Sequence, residues 1–170
     1  MDGPEAVSGA GWATADLSDE HPDSVSAVVC PLLDFGGLRK FAGKIATLKV
    51  FEDYRPVYEA LQQPGQGCVL VVDAGGSRDC AVLGERLLNM AARNGWAGAV
   101  IYGVVRDTAL TREVAIGLRA LGTIPRRGES GLPCIANQPV TFGEVTFTPG
   151  DRLWADEDGI VVGTSEKVSG

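Results

Sequence analysis

Apolar residues recur along this chain in two rhythms, one of about two residues and one of three to four, and glycine- and proline-rich breaks separate them. Over 41–51, Ile45, Leu48 and Val50 are spaced by Lys44, Thr47 and Lys49, which predicts a strand with one wet face. Val140 and Phe142 before Gly143-Glu144, with Val145 and Phe147 after it, predict a hairpin over 138–148. A second hairpin is predicted from 153–155 to 160–162. The runs 68–72 and 99–102 are short and apolar, the mark of strands covered on both faces, and Gly103 is read as ending the second of them; 80–83 is read as a short strand and 118–124 as a strand ending at Pro125. Residues 25–33 also suit a strand, with Pro31 confining it to an edge or an end.

Helical spacing appears in two longer stretches. In 84–94, Leu87, Leu88, Met90, Ala91 and Ala92 form an apolar face, Glu85, Arg86, Asn89 and Arg93 are left to face water, and Gly95 stops the helix. In 54–63, Asp53 is the expected N-cap and Pro56 falls in the first turn, where a missing N–H does little harm. Thr14 and Thr111 are expected to cap two brief helices, the second running to Val114. Residues 1–13 read as a disordered tail, 14–163 as one domain and 164–170 as a frayed end. Strands interleaved with helices predict an α/β fold with mixed sheets flanked by helices.

Composition narrows the function. The chain has 170 residues, 45% of them hydrophobic, enough for a single sizeable core. A net charge of -7 argues against a direct nucleic-acid surface, and the basic pair Arg126-Arg127 is accounted for by a surface loop. Cys30, Cys68, Cys80 and Cys134 show no CxxC spacing, and His21 is the single histidine, which disfavours zinc. Free thiols, no signal peptide and no run of about 18 apolar residues point to a cytoplasmic protein without a membrane span. The 73–77 loop lacks the ending of a phosphate-binding loop and is read as a turn that lets the chain pass near the site. The acidic run Asp156-Glu157-Asp158-Gly159 is read as a turn rather than a calcium loop.

The block 84–107, GERLLNMAARNGWAGAVIYGVVRD, carries the candidate chemistry. The N–H groups of Gly84, Glu85, Arg86 and Leu87 at a helix start suit a carboxylate or phosphate. Arg106-Asp107 lies just beyond a strand end, where open α/β folds place ligands. A guanidinium grips a carboxylate with two bonds, and a lone aspartate suits Mg²⁺ completed by water and substrate oxygens. A plain capped helix and a solvated ion pair are the alternatives.

These residues resemble the signature of the family that contains the regulator of ribonuclease activity A and the 4-hydroxy-4-methyl-2-oxoglutarate aldolases. The family pattern is a Gly-Asp-x-Leu helix start, Gly-(Trp)-x-Gly, an apolar strand, and Gly-x-(Val/Ile)-Arg-Asp. Segments 14–17, 34–45, 51–53, 71–73, 116–125 and 145–160 are similar to family segments as well. Glu85 stands where the family usually has Asp, moving the carboxylate by one methylene. The resemblance implies a β/β/α swivelling-domain fold, a ring-shaped homotrimer and a site near a subunit boundary; periodicity alone fits several α/β folds.

It also implies one of two functions. Members keeping both Arg and Asp resemble metal-dependent aldolases that cleave 4-hydroxy-2-oxo acids to pyruvate, with oxaloacetate decarboxylation as a side activity. Others regulate a ribonuclease, or bind a helicase, through protein contacts. Pyruvate enolate can be stabilised by a lysine Schiff base or by a metal. Lys40, Lys44, Lys49 and Lys167 all lie outside the central block, which favours the metal. The expected roles are Asp107 as ligand of Mg²⁺ or Mn²⁺, Arg106 neutralising enolate charge, the 84–87 amides seating the substrate carboxylate, and Glu85 orienting a water that shuttles the proton.

Overall fold

Strands that carry apolar residues without alternation need cover on both faces, and the computed structural model, which describes residues 11–164 and 168, supplies it. In chain order the elements are α1 (Thr14–Glu20), β1 (Val25–Ala27), β2 (Leu33–Asp34), β3 (Phe41–Lys49), α2 (Arg55–Gln62), β4 (Val69–Asp73), α3 (Glu85–Arg93), β5 (Gly98–Val105), α4 (Thr108–Thr111) and β6 (Gly117–Thr123). They are followed by β7 (Ile135–Ala136), β8 (Val140–Phe142), β9 (Val145–Phe147), β10 (Arg152–Asp156) and β11 (Gly159–Gly163). β3, β4, β5 and β6 are parallel neighbours, and β10 joins β3 antiparallel. The strand order is β1-β11-β10-β3-β4-β5-β6-β2, with β7 also on β3 and β8-β9 as a separate hairpin.

Residues of the parallel strands alternate between two cores. Leu70, Val72, Ala99 and Ile101 face α2 and α3, where they meet Val57, Leu61, Leu88 and Ala91. Val69, Val71 and Val100 face the other way, toward Phe142, Phe147 and Leu153. Helices, sheet and hairpins are therefore layered, and the expected mixed α/β architecture is the one observed. No helix among the described residues is long and apolar enough to cross a membrane.

Both hairpins and both longer helices lie where the spacing placed them. The differences have local causes. Residues 25–33 form two short strands around Pro31, and these end up on opposite edges of the sheet, β1 on β11 and β2 on β6. The 80–83 run makes only bridges, from Ala81 to Val104 and Arg127. Gly103 does not end β5: a Cβ there would lie 2.8 Å from that of Ala74, so glycine permits close approach inside a strand that runs on to Val105 through a register shift. The helix expected from Thr111 starts earlier, at Thr108, and Thr111 is its buried end. Thr14 does not cap α1, whose N-cap is Ala13; its N–H and hydroxyl instead donate to Asp156, at 2.8 and 2.7 Å. Asp156 also accepts the Asp158 N–H, so the acidic turn is an anchored hairpin. Burial alone would raise the Asp156 carboxyl, but the bonds from Thr14 hold it below its usual range. Most of the expected tail and frayed end lies outside the described residues; Trp12 and Val168 pack on Leu17, Trp154 and Val161.

Candidate active site

The continuation of β5 past Gly103 sets the site. Val82 N–H donates to Val104 O at 3.2 Å and Arg106 N–H to Leu83 O at 3.0 Å, so the chain entering α3 lies against the end of β5. On its other side Ala81 N–H donates to Arg126 O and Gly128 N–H to Ala81 O, at 2.7 and 3.0 Å. Gly84 and Glu85 are thereby placed beside Arg106 and Asp107.

Asp107 has left-handed backbone, φ 60°, a conformation that Asp and Asn tolerate better than other side chains with a Cβ. This aims its carboxylate at the start of α3, where Oδ2 accepts the Glu85 N–H at 3.1 Å. A Cβ on Gly84 would lie 2.5 Å from that oxygen and 3.2 Å from Arg106 Cγ, so the close approach requires glycine. Arg106 Nε is 4.0 Å from Asp107 Oδ2, and Nη1 donates to Pro125 O at 3.4 Å. The first helical bond of α3 is Leu88 N–H to Gly84 O. Of the N–H groups before it, that of Glu85 is taken by Asp107, while those of Arg86 and Leu87 have no acceptor among the described residues.

All six residues singled out in the sequence, Gly84, Glu85, Arg86, Leu87, Arg106 and Asp107, line one cavity of about 720 Å³. Sequence reasoning missed the rest of its wall. Asn89 and Arg93 continue the Glu85 stripe up α3 at four-residue spacing, so polar positions expected to meet water face the cavity instead. Tyr54, Tyr58 and Met90 also line it, as does Arg127, whose Cζ lies 4.4 Å from the Tyr54 ring centre and whose Nη2 pairs with Glu129 at 2.5 Å. The 73–77 loop, expected to pass near the site, contributes nothing to the lining. Four guanidinium groups against two carboxylates line the cavity, an excess of positive charge on an acidic chain, with Arg127 paired to Glu129.

Beneath the Tyr54 and Arg127 wall sits a buried carboxylate. Asp53 accepts from Arg55 N–H, Nε and Nη2 and from Gly131 N–H, the last at 2.7 Å, and ties the start of α2 to the 128–131 loop. It was expected to cap α2 as N-cap; it sits one residue earlier, Tyr54 being the N-cap. The hydrogen bonds from Arg55 hold its carboxyl down at about 2. Because an unfolded aspartate titrates near 3.9, the ionised form favours the fold above that pH, by about 2 kcal/mol. The contribution falls as pH drops from about 4 toward 2. Asp53→Asn is expected to lower the urea midpoint strongly at pH 7 and by a smaller amount at pH 3; an equal loss at both would remove this ionisation from the stability of the loop. Cys30 and Cys68 are half-buried free thiols whose pKa burial pushes up, which disfavours the reactive thiolate.

Whether these side chains suit a metal follows from the donor set. Among the described residues, no three His, Cys, Asp or Glu side chains converge as an ion cage. The Asp107 carboxylate is 42% exposed, lines the cavity, and has one oxygen without a hydrogen bond among the described residues. One open carboxylate fits a hard ion such as Mg²⁺ or Mn²⁺, whose other positions water and substrate oxygens fill.

The chain has close counterparts among known proteins. Residues 14–162 match the RraA-like family, described as Aldolase/RraA. A relative from Laribacter hongkongensis, named "Putative 4-hydroxy-4-methyl-2-oxoglutarate aldolase", is 49% identical over 150 residues, 88% of this chain and 94% of the relative. A crystal structure described as S-adenosylmethionine: 2-dimethylmenaquinone methyltransferase, from Geobacillus kaustophilus HTA426, superposes with a TM-score of 0.89 at 40% identity, over 94% of this chain and 100% of the other. The structure of the RNA-processing inhibitor RraA from Thermus thermophilis superposes with a TM-score of 0.86 at 42% identity, over 89% and 92% of the two chains.

Proposed function

Because the chain belongs to the RraA-like family, we propose that it is a divalent-metal-dependent aldolase releasing pyruvate from 4-hydroxy-2-oxo acids of the 4-hydroxy-4-methyl-2-oxoglutarate type, with oxaloacetate decarboxylation as a side activity. The observation that carries this reading is the convergence of Arg106, Asp107 and the first amides of α3 on one anion-favouring cavity. The name borne by the Laribacter relative supports it. In this reading the substrate carboxylate sits on the Arg86 and Leu87 N–H groups, at the positive end of the helix dipole. Arg106 places its guanidinium against the keto oxygen, where negative charge grows as the C3–C4 bond breaks. Glu85 receives the C4 hydroxyl proton, through an intervening water, and returns it to C3 of the departing pyruvate. A divalent ion held by Asp107 supplies Lewis-acid polarisation of the 2-oxo group when bound.

The test is a coupled pyruvate assay on oxaloacetate and on 4-hydroxy-4-methyl-2-oxoglutarate. Turnover with Mg²⁺ that chelator abolishes is expected; equal pyruvate release with and without chelator would exclude the metal. The same reading includes a ring-shaped homotrimer, checked by light scattering for three times the 17.8 kDa chain mass.

A second reading is favoured by the name of the Thermus relative and by the net charge of -7: a regulator that binds a ribonuclease or helicase. Salt-sensitive capture of such a partner, with no activity on any 2-oxo acid in the presence of Mg²⁺, is its signature.

A further inference from the structure

Glu85 reaches into the cavity with one methylene more than aspartate, and its placement depends on a residue one helical turn away. Asn89 Nδ2 donates a hydrogen bond to Glu85 Oε1. The two are four residues apart on α3, and both line the cavity with Asp107 and Arg106. An amide NH₂ can only donate and a carboxylate oxygen accepts, so the contact occupies one of the two Glu85 oxygens. Glu85 Oε2 is left without a partner among the described residues.

We propose that Asn89 is a positioning residue: it folds the long Glu85 arm back along α3 and so selects Oε2 as the oxygen that carries the reaction proton. This rests on the lyase reading above. In that reaction the C4 hydroxyl proton passes through the intervening water to Oε2, the freed O–H pair forms the new carbonyl, and the C3–C4 pair moves onto the pyruvoyl fragment. The proton then goes from Oε2 to C3 as keto-pyruvate forms, so Glu85 ends as it began. Without Asn89 the Glu85 side chain samples other rotamers, and the proton-carrying oxygen spends less time within reach. Substrate binding is expected to change little, because the Asn89 amide bonds to Glu85 and not to the amides that seat the carboxylate or the guanidinium at the keto oxygen.

The test is a cycle of Asn89→Ala and Glu85→Asp, measured on the full chain with Mg²⁺. Two rates are followed, pyruvate release and exchange of pyruvate C3 protons with D₂O. Asn89→Ala is expected to lower both about tenfold with KM unchanged. In the Glu85→Asp background it is expected to change neither, because the shorter carboxylate is out of reach of Asn89 and coupling is lost. Alanine favours the helix at this half-exposed position, so folding is retained. An independent readout needs no metal: the Asn89 side-chain amide resonances should move in Glu85→Asp. Wild-type rates in Asn89→Ala, or an equal loss in both backgrounds, would overturn the role of Asn89 while leaving the lyase reading intact. A wild-type protein that neither cleaves the oxo acids nor exchanges pyruvate protons would bring down both.

Discussion

Asp107→Asn is expected to cut metal-dependent pyruvate release by at least about a thousandfold while leaving the fold in place, and the choice of asparagine separates the two effects. Asparagine tolerates the left-handed backbone at φ 60° and can accept the Glu85 N–H with its side-chain oxygen. What it lacks is the charge that holds a hard cation. A thousandfold loss corresponds to about 4 kcal/mol of transition-state stabilisation, within what a metal Lewis acid supplies. Asp107→Ala removes the charge too, but it also puts alanine in a left-handed conformation, at a cost of about 1–2 kcal/mol, and leaves the Glu85 N–H without its acceptor. The alanine variant should therefore melt lower than the asparagine variant and be no more active. Isothermal titration with Mn²⁺ supplies the second measurement. Wild-type turnover in Asp107→Asn, or Mn²⁺ binding of wild-type strength, would take Asp107 out of the site.

The strands and the helices differ in how far their surroundings could be read from residue type. A run such as Val69 to Val72 has no polar position, so both faces must be covered, and the structure puts alternate residues in two separate cores. The hairpins were equally clear, because Gly143-Glu144 sits between alternating apolar residues and Asp158-Gly159 between two short apolar runs. Polar residues on α3 were the harder case. Glu85, Asn89 and Arg93 have the spacing of a solvated stripe, and only the tertiary placement of Tyr54, Tyr58, Arg106, Asp107 and Arg127 makes that stripe a cavity wall. Arg127 was equally hidden: its place depends on Ala81 bonding to the backbone on either side of it, a contact across 46 residues that no local pattern encodes. Gly103 misled in the opposite direction, since a glycine demanded by the Ala74 methyl looks the same in sequence as one that ends a strand. The six residues expected to converge do so because Gly103 lets β5 run on to Val105, next to Arg106 and Asp107.

Gly84 joins these two levels, and replacing it isolates the site from the fold. Its φ of -141° is open to any residue, so Gly84→Ala meets no backbone strain. The new Cβ would instead lie 2.5 Å from Asp107 Oδ2 and 3.2 Å from Arg106 Cγ. Both contacts are with side chains that can rotate away, so the expected stability loss is small, about 1 kcal/mol for the bond from Glu85 N–H. The displaced groups are the proposed metal ligand and the proposed charge stabiliser, and a shift of about 1 Å at such groups costs on the order of a hundredfold in rate. Gly84→Ala should therefore unfold at nearly the wild-type urea concentration and lose about two orders of magnitude in kcat/KM for pyruvate release. Because Asp107 moves and keeps its charge, raising Mg²⁺ should restore part of the loss, which it cannot do for Asp107→Asn. A variant that is fully active, or one that fails because it unfolds, would show that the contact between the start of α3 and the end of β5 serves packing and not chemistry.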